Sequence, residues 1–384
     1  MGEGGMGGVG KLVTAGAQRA VPPEETWARV APLLPAMGIT RVAELTGLDV
    51  VGIPVFQAFR PNGRTLSVAQ GKGVTPELAR VSAVMEAVET WHAEEAELAT
   101  VECTVAEMAP LLPYSVFDLP RPPRSVLSPG TRLRWVSGRP VGDGDPVWLP
   151  QACVRMDNTD PDGWSPPLLH SNSNGLASGN TREEALLHGL YEVLERDARA
   201  RVEETGRAGL EVSLDTVTGT SAGLADRFAA AEVLLRVHDF TSAAGLPCYE
   251  ALIWSADLPM GFAGWGCQQD PDVALCRALT EAAQSRLTMV AGTRDDLPED
   301  AYRWMATRSR LRPPFAPSAP ARTFPPPATT TGVGSLAEDL RAVAAMVAER
   351  ASGGVFWVDL TRPEFGIPVV QVVAPGLRIM EAYR

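Results

Sequence analysis

The sequence predicts an α+β protein assembled from repeated strand-strand-helix units. Three observations carry this: a helix start written three times in one register, a strand-turn-strand pattern ahead of each start, and a pair of polar side chains at the end of each repeat. Gly73-Val74-Thr75-Pro76 leads to Glu86 and Glu89, and Gly179-Asn180-Thr181-Arg182 leads to Glu192 and Glu195. Both glycine-to-glutamate intervals are 13 residues. Asp270-Pro271 stands at the matching offset before Glu281 and Gln284.

The first unit begins with Gly52-Ile53-Pro54-Val55-Phe56-Gln57-Ala58-Phe59, which reads as a strand. Arg60-Pro61-Asn62-Gly63 then reads as a turn, and Thr65-Leu66-Ser67-Val68-Ala69 as the returning strand. The second unit runs from Val147-Trp148-Leu149-Pro150 through Asp157-Asn158 to Pro167-Leu168-Leu169-His170, and the third from Gly245-Leu246-Pro247 to Gly261-Phe262-Ala263-Gly264-Trp265. A late segment, Gly366-Ile367-Pro368-Val369-Val370-Gln371-Val372-Val373, echoes the first strand. Strands grouped with helices in this way favour α+β over a doubly wound sheet.

Each helix opens on a residue whose side-chain oxygen accepts from a first-turn amide: Thr75, Thr181 and Asp270. Pro76 and Pro271 occupy the first helical position, where a missing N–H is harmless. Glu184, three residues after Thr181, completes the pattern of a capping box. Along the helices, Ala79, Ala83, Glu86 and Glu89 share one stripe, matched by Ala185, Gly189, Glu192, Glu195 and by Ala274, Ala278, Glu281, Gln284. Leu186, Leu190 and Leu194, like Val84, Val88 and Trp91, form a separate apolar face for a sheet.

Two glutamates at i and i+3 repel by a few tenths of a kcal/mol on an isolated helix. Convergence of two such pairs calls for a hard divalent cation, and Mg²⁺ binds through carboxylates together with substrate phosphates. A single such pair is ordinarily a solvated helix face; the threefold repetition at fixed register argues for a shared site. Arg196 and Arg286 suit phosphate oxygens, although Arg196 equally suits an i,i+4 pair with Glu192 and spacing alone does not choose.

These motifs resemble the YcaO family. The resemblance rests on Gly71-Lys72-Gly73 with Ser82-Ala83-Val84-Met85-Glu86-Ala87-Val88-Glu89, on Asn174 through Thr181 with Glu192-Val193-Leu194-Glu195-Arg196-Asp197, and on Glu281-Ala282-Ala283-Gln284-Ser285-Arg286. It runs from about Lys11 to the last strand and implies a fold of these units around a central ATP site. The resemblance further implies ATP- and Mg²⁺-dependent phosphorylation of a peptide amide oxygen, which a nucleophile then replaces. It places Glu86, Glu89, Glu192 and Glu195 on metal, and Lys11, Lys72, Ser82, Ser178, Asn180, Glu184, Arg196, Gln284 and Arg286 on the nucleotide. The reaction itself falls to Glu195, Arg196 and Arg286. Two positions depart from the family pattern: Thr90 replaces an arginine and Ala177 a serine, with Ser178 one residue along as a substitute hydroxyl.

Family members that form azolines usually carry a proline-rich C-terminal tail, and Pro375 to Arg384 lacks that alternation. The stretch from Pro23-Glu24-Glu25-Thr26 through Met37-Gly38-Ile39 to Thr46-Gly47-Leu48-Asp49 resembles the subgroup that works with TfuA proteins, whose members resemble thioamide synthases. The implied partners are a ribosomal precursor peptide, a TfuA-like protein and a sulfide donor, with a homodimer implied in the same way. An azoline- or amidine-forming cyclodehydratase and a non-catalytic ATP-binding scaffold are the competing readings.

At 384 residues and 45% hydrophobic the chain is long enough for a large core. A net charge of −12 argues against sequence-independent binding to nucleic acid or anionic membranes. Five cysteines with no CxxC indicate neither a disulfide framework nor a zinc site, and no apolar run reaches membrane-span length, so a cytoplasmic enzyme is expected. Residues 1–20 read as a flexible Gly-rich tail ahead of one domain over 21–384. Gly5 to Lys11 imitates a P-loop, but Leu12 stands where Ser or Thr would hold Mg²⁺ and no strand precedes it. Pro110–Pro129 and Pro313–Pro327 read as surface loops. Of the four histidines, His188 lies one turn before Glu192 and borders the expected site.

Overall fold

The computed structural model describes residues 10–157, 159, 166, 168–206, 209–241, 245–297, 300, 302, 322–325 and 334–380. In chain order its elements are β1 (Leu12–Thr14), β2 (Ala17–Arg19), α1 (Pro23–Val30), β3 (Arg41–Glu44), β4 (Val55–Phe59), β5 (Val68–Lys72), α2 (Pro76–Glu94), β6 (Thr100–Thr104), α3 (Val105–Met108), β7 (Arg132–Pro140) and β8 (Val147–Pro150). They continue with β9 (Leu176–Ser178), α4 (Arg182–Thr205), β10 (Leu210–Glu211), α5 (Thr220–Ala230), β11 (Leu234–Asp239), β12 (Cys248–Trp254), β13 (Phe262–Cys267), α6 (Pro271–Ala291), α7 (Leu336–Ala348), β14 (Phe356–Asp359) and β15 (Val369–Val373). The strands form a β1-β2 hairpin, a sheet β3-β4-β5, a sheet β10-β11-β12-β13, and a six-stranded sheet β6-β7-β14-β15-β9 with β8 on β7. The α+β expectation therefore holds.

The first unit is β4-β5-α2 and the third is β12-β13-α6, as the sequence predicts. The second differs. No strand forms over Leu168–His170, and Pro167 lies outside the described residues. The returning strand is β9, which pairs antiparallel with β15 from the far end of the chain while β8 pairs with β7. Register explains the choice: Lys72, Ser178 and Cys267 each end a strand three residues before the helix N-cap, and they face Val55, Val369 and Cys248 respectively. The partner strands are each preceded by glycine, an apolar residue and proline: Gly52-Ile53-Pro54, Gly366-Ile367-Pro368 and Gly245-Leu246-Pro247. At that edge position proline needs no ladder donor, and its carbonyl accepts the N–H of Gly73 (3.3 Å), Gly179 (3.1 Å) or Gln268 (3.1 Å). The late segment that echoes β4 is thus the missing first strand of the second unit.

The caps form as expected. Thr75 Oγ accepts from Leu78 N–H at 3.3 Å, Thr181 Oγ from Glu184 N–H at 3.2 Å, and Asp270 Oδ1 from the N–H groups of Asp272 and Val273 at 2.8 and 3.4 Å. The capping box at Thr181 does not close, because the Glu184 carboxylate turns instead to the N–H groups of Ala20 (3.1 Å) and Asn180 (3.3 Å). Each helix packs on its own strands and also touches the second strand of the next unit: α2 against β9, α4 against β13, α6 against β5. This closes a ring in which equivalent helix faces look at one another.

The helices lie almost in contact with the sheet backbone. A Cβ on Gly71 would overlap the backbone of Ala79 and Ala83, and one on Gly266 would overlap the carbonyl of Ala274. In the second unit the small residue sits on the helix instead, with Gly189 against Val372. The small stripes read from the sequence are therefore contact surfaces.

Two other expectations change. Leu12–Arg19 forms a hairpin rather than a flexible tail, since each strand satisfies the other's backbone groups; residues 1–9, which carry most of the P-loop look-alike, lie outside the described residues. The segment 110–129 crosses the surface but buries Tyr114, Val116, Leu119 and Leu127 in the core. Within Pro313–Pro327 only residues 322–325 are described, and Phe324 is buried there. No described helix is long and apolar enough to cross a membrane.

Replacing Gly71 by alanine should destabilise the protein by about 3 kcal/mol or more, because backbone on both sides of the contact must move. Gly130 has open space around it, so Gly130→Ala should stay within about ±0.5 kcal/mol. Chemical denaturation of the two variants tests the difference.

Candidate active site

At the centre of the ring lies a cavity of about 800 Å³, within the range of roughly 300–1,000 Å³ usual for small-molecule sites. Equivalent helix positions line it in threes: Ser82, His188 and Arg277; then Glu86, Glu192 and Glu281; then Glu89, Glu195 and Gln284. Lys72, Ser178, Asn180, Glu184 and Arg196 also line it. The structure thus gathers eleven of the sequence-predicted residues, Lys72, Ser82, Glu86, Glu89, Ser178, Asn180, Glu184, Glu192, Glu195, Arg196 and Gln284.

Two predicted residues do not join them. Arg286 is fully buried on another face of α6, where Nε donates to Asp49 at 2.9 Å, Nη1 to Ser255 at 2.5 Å and Nη2 to Asp257 at 2.8 Å. It lies two residues past Gln284, and residues two apart on a helix do not share a face. Its place is therefore structural. Lys11 Nζ donates to Asp339 Oδ2 of α7 at 2.8 Å in a pair with little exposure, which holds the hairpin to the body and keeps the lysine out of the cavity lining.

Acidic side chains of one unit hold the strand end of the next. Glu89 of α2 accepts from Ser178 N–H (2.8 Å) and Oγ (2.6 Å), and Glu281 of α6 accepts from Lys72 Nζ (2.5 Å). Ser178 and its neighbour Ala177 both line the cavity. At the third corner the strand-end residue is Cys267, and Oε2 of Glu195 is buried without a hydrogen-bond partner. Gln284 Oε1 is orphaned in the same way. Arg196 Nη2 does pair with Glu192 at 3.2 Å, so the i,i+4 reading is correct while the residue still faces the cavity.

Burial is the largest cause of the carboxylates' behaviour. It pushes Glu89 up to about 8, with Glu192 and Glu86 adding repulsion against the Ser178 hydrogen bonds. Glu192 is pushed up to about 7 by burial, with Glu195 adding repulsion against the pull of Arg196. Glu195 and Glu86 rise for the same reason, each also repelled by Glu281. Glu281 itself stays low: burial raises it, but Lys72, Arg196 and Arg199 together outweigh that. Orphaned oxygens and carboxyl groups held above their usual range are what a divalent cation would satisfy. Among the described residues no three ligand side chains are already close enough to hold an ion by themselves, as suits Mg²⁺, which completes its shell with water and phosphate oxygens.

Sequence reasoning missed three cations of the lining, Arg19, Arg277 and Arg294. Arg277 lines the cavity with its Nε buried and unpartnered, and it was findable as the counterpart of Ser82 and His188. Arg19 donates to His188 Nδ1 at 2.6 Å and to Glu184 at 3.4 Å. Its position in the presumed tail hid it. Burial, reinforced by Arg19 and Arg277, holds His188 far below the usual imidazole range and therefore neutral.

The sign of the pH dependence follows. A carboxyl raised by folding contributes stability below its unfolded value of about 4.3, and that contribution is lost as pH climbs through about 7 for Glu192 and about 8 for Glu89. A cation requires the charged form and reverses the loss. The rise in Tm on adding Mg²⁺ with a non-hydrolysable ATP analogue should therefore grow between about pH 6 and pH 8.5. Thermal melts across that range test this; a shift that shrinks with pH contradicts it.

Comparison with known proteins agrees with this geometry. Residues 70–378 match the family described as "YcaO cyclodehydratase, ATP-ad Mg2+-binding". An uncharacterized protein of Mycobacterium tuberculosis is 38% identical over 96% of this chain and 84% of its own length. An "uncharacterized protein in tfuA 3'region" of Rhizobium leguminosarum bv. trifolii is 37% identical over 94% of this chain and 89% of its own. Among solved structures, YcaO from Methanopyrus kandleri bound with AMPPCP and Mg²⁺ aligns with a TM-score of 0.69 at 26% identity, covering 96% of this chain and 94% of that one. A heterocyclase in complex with substrate and cofactor shares the fold, with a TM-score of 0.74 at 22% identity, covering 97% of this chain and 55% of that one. With carboxylates, cations and orphaned oxygens meeting at one cavity and the family match spanning most of the sequence, this chain belongs to the ATP- and Mg²⁺-binding YcaO family.

Proposed function

We propose that the protein activates a peptide backbone amide with ATP and then exchanges its oxygen for sulfur, giving a thioamide in a ribosomally made peptide. The observation that carries the activation step is the ring of Glu86, Glu89, Glu192, Glu195, Glu281 and Gln284 around one cavity, with Lys72, Arg19, Arg196 and Arg277 beside it. An amide oxygen is a poor leaving group, and transfer of a phosphoryl group makes it a good one. That chemistry consists mostly of positioning and charge neutralisation.

ATP with Mg²⁺ supplies the phosphoryl group and much of the neutralising charge. The chain's own residues do the rest. Glu86, Glu89, Glu192 and the orphaned Oε2 of Glu195 would hold the metal. Lys72 and Arg277 offer N–H donors to phosphate oxygens, while neutral His188 keeps Arg19 oriented through a hydrogen bond. In the second step a sulfide sulfur bonds to the amide carbon, the carbon–oxygen bond breaks, and phosphate departs with the former amide oxygen.

Two observations support sulfur as the nucleophile. The N-terminal stretch from Pro23 to Asp49 resembles the TfuA-associated subgroup, and the rhizobial relative is named for its place beside tfuA. The reading brings with it a precursor peptide, a TfuA-like partner, a sulfide donor, a homodimeric assembly and a cytoplasmic setting. Incubation with the precursor peptide, ATP, Mg²⁺ and sulfide should raise the peptide mass by the difference between sulfur and oxygen. Loss of water instead would assign azoline or amidine formation.

Glu195→Gln should lower kcat by about 100-fold or more. Its Tm should not fall, because the variant removes a carboxyl whose charged form burial and Glu281 already disfavour and whose Oε2 lacks a donor. Parallel turnover and melting measurements decide, and unchanged ATP turnover would remove Glu195 from the site.

A further inference from the structure

Two buried glutamines stand opposite each other on β4 and β5. Gln57 and Gln70 are direct partners in the strand register and are 0% and 2% exposed. Such partners point to the same face of a sheet, and here that face meets α6 and the residues just after it. Each glutamine finds a threonine there. Gln57 uses both ends of its amide on Thr293, with Nε2 donating to the hydroxyl at 2.6 Å and Oε1 accepting from it at 2.9 Å. Gln70 uses only one end. Its Oε1 accepts from the Thr288 hydroxyl at 2.5 Å, while its Nε2 is buried with no partner. Gln70 lines the central cavity and Gln57 does not. A buried donor left unmade is costly to the fold, so the contrast between these neighbours points to a ligand.

The surroundings of Gln70 say which kind. Its backbone N–H donates to the Glu86 carboxylate, which sets the side chain beside the acidic belt. Thr288 lies one turn beyond Gln284 on α6, so the free donor sits on the C-terminal side of that belt. Arg19 and Arg277 lie on the opposite side, toward the helix starts. At the Gln70 end the charged groups of the lining include Arg294 and Asp296, which pair with each other at 2.9 and 2.5 Å. The last turn of α6 also presents the negative end of its dipole, which disfavours an anion. A polyphosphate is therefore drawn to the Arg19 and Arg277 end, and the lone amide N–H of Gln70 suits an uncharged acceptor such as a peptide carbonyl.

We propose that Gln70 binds the peptide substrate, its Nε2–H donating to a main-chain carbonyl, and that Thr288 orients it by holding Oε1. The proposal rests on the activation reading above. The carbonyl held belongs to a peptide group next to the activated one, because a hydrogen bond to the reacting oxygen would withdraw the electron pair that attacks phosphorus. Recognition of this kind reads the main chain and requires no particular side chain.

The test uses the full chain with ATP and Mg²⁺, without sulfide, and reads phosphate release stimulated by acetyl-Gly-Gly-Gly-amide. Water takes the place of sulfide: its oxygen bonds to the activated carbon, the bond to the phosphorylated oxygen breaks, and phosphate leaves with the amide restored. Gln70→Met keeps the side-chain length and removes the donor, so it should raise the peptide KM by about fivefold and leave the KM for ATP within about twofold. Thr288→Val should raise the peptide KM as well, and the double variant should match Gln70→Met alone, since Thr288 acts through Gln70. Gln57→Met is the control: it removes a satisfied buried amide, so it should lower Tm and leave the peptide KM as in the wild type. Melts check the folding of each variant, and Thr288→Val carries the test if Gln70→Met does not fold. An unmoved peptide KM, a rise in the KM for ATP in its place, or additive effects of the two substitutions overturns the assignment. Absence of stimulation in the wild-type chain overturns the activation reading and this proposal with it, whereas stimulation that the variants leave unchanged overturns the proposal alone.

Discussion

The close seating of three helices on their strands, through a glycine on one side of each contact, is the constraint on which the rest of the molecule depends. Where Gly71 and Gly266 meet the alanine stripes of α2 and α6, and where Gly189 of α4 meets Val372, there is no room for a larger side chain. That proximity brings each helix far enough inward to touch the next unit's strand and to point its polar pair at a common centre. Looser packing would leave the same glutamates in solvent, where each would behave as an ordinary surface carboxylate.

Gathering them costs desolvation and repulsion, and the protein offsets this unevenly. Two corners of the ring are latched, Glu89 by Ser178 and Glu281 by Lys72. The third is left without a donor, since Cys267 occupies the strand end and Glu195 keeps a buried oxygen unpaired. A polar group withheld from partners in this way is costly unless a ligand completes it. The break in the threefold pattern therefore marks the corner of the cavity that keeps an unpaired buried oxygen.

The division between site and scaffold is equally physical. Arg286 sits in sequence beside Gln284 and carries the charge a phosphate wants, yet α6 turns it outward into a buried cluster with Asp49, Ser255 and Asp257. Arg277, nine residues earlier, faces the cavity instead. Lys11 likewise serves to dock the hairpin on α7. Charge in the right stretch of chain is a weak guide; the helical phase decides which cation reaches the cavity.

Sequence alone determined the local grammar: the three caps, the spacing from cap to acidic pair, the small stripes and the glycine-apolar-proline segments ahead of β4, β12 and β15. Each follows from backbone hydrogen bonding and helical period, which act over a few residues and so are legible in one dimension. Only the tertiary structure decided that β15 rather than β8 completes the second unit, that the first described residues form a hairpin carrying Arg19 into the cavity, and that Glu195 lacks a partner. Those outcomes depend on contacts between segments far apart in the chain, where pairing is chosen by register and burial across the whole ring; the echo of β4 in β15 is legible in the sequence, but the strand it pairs with is not.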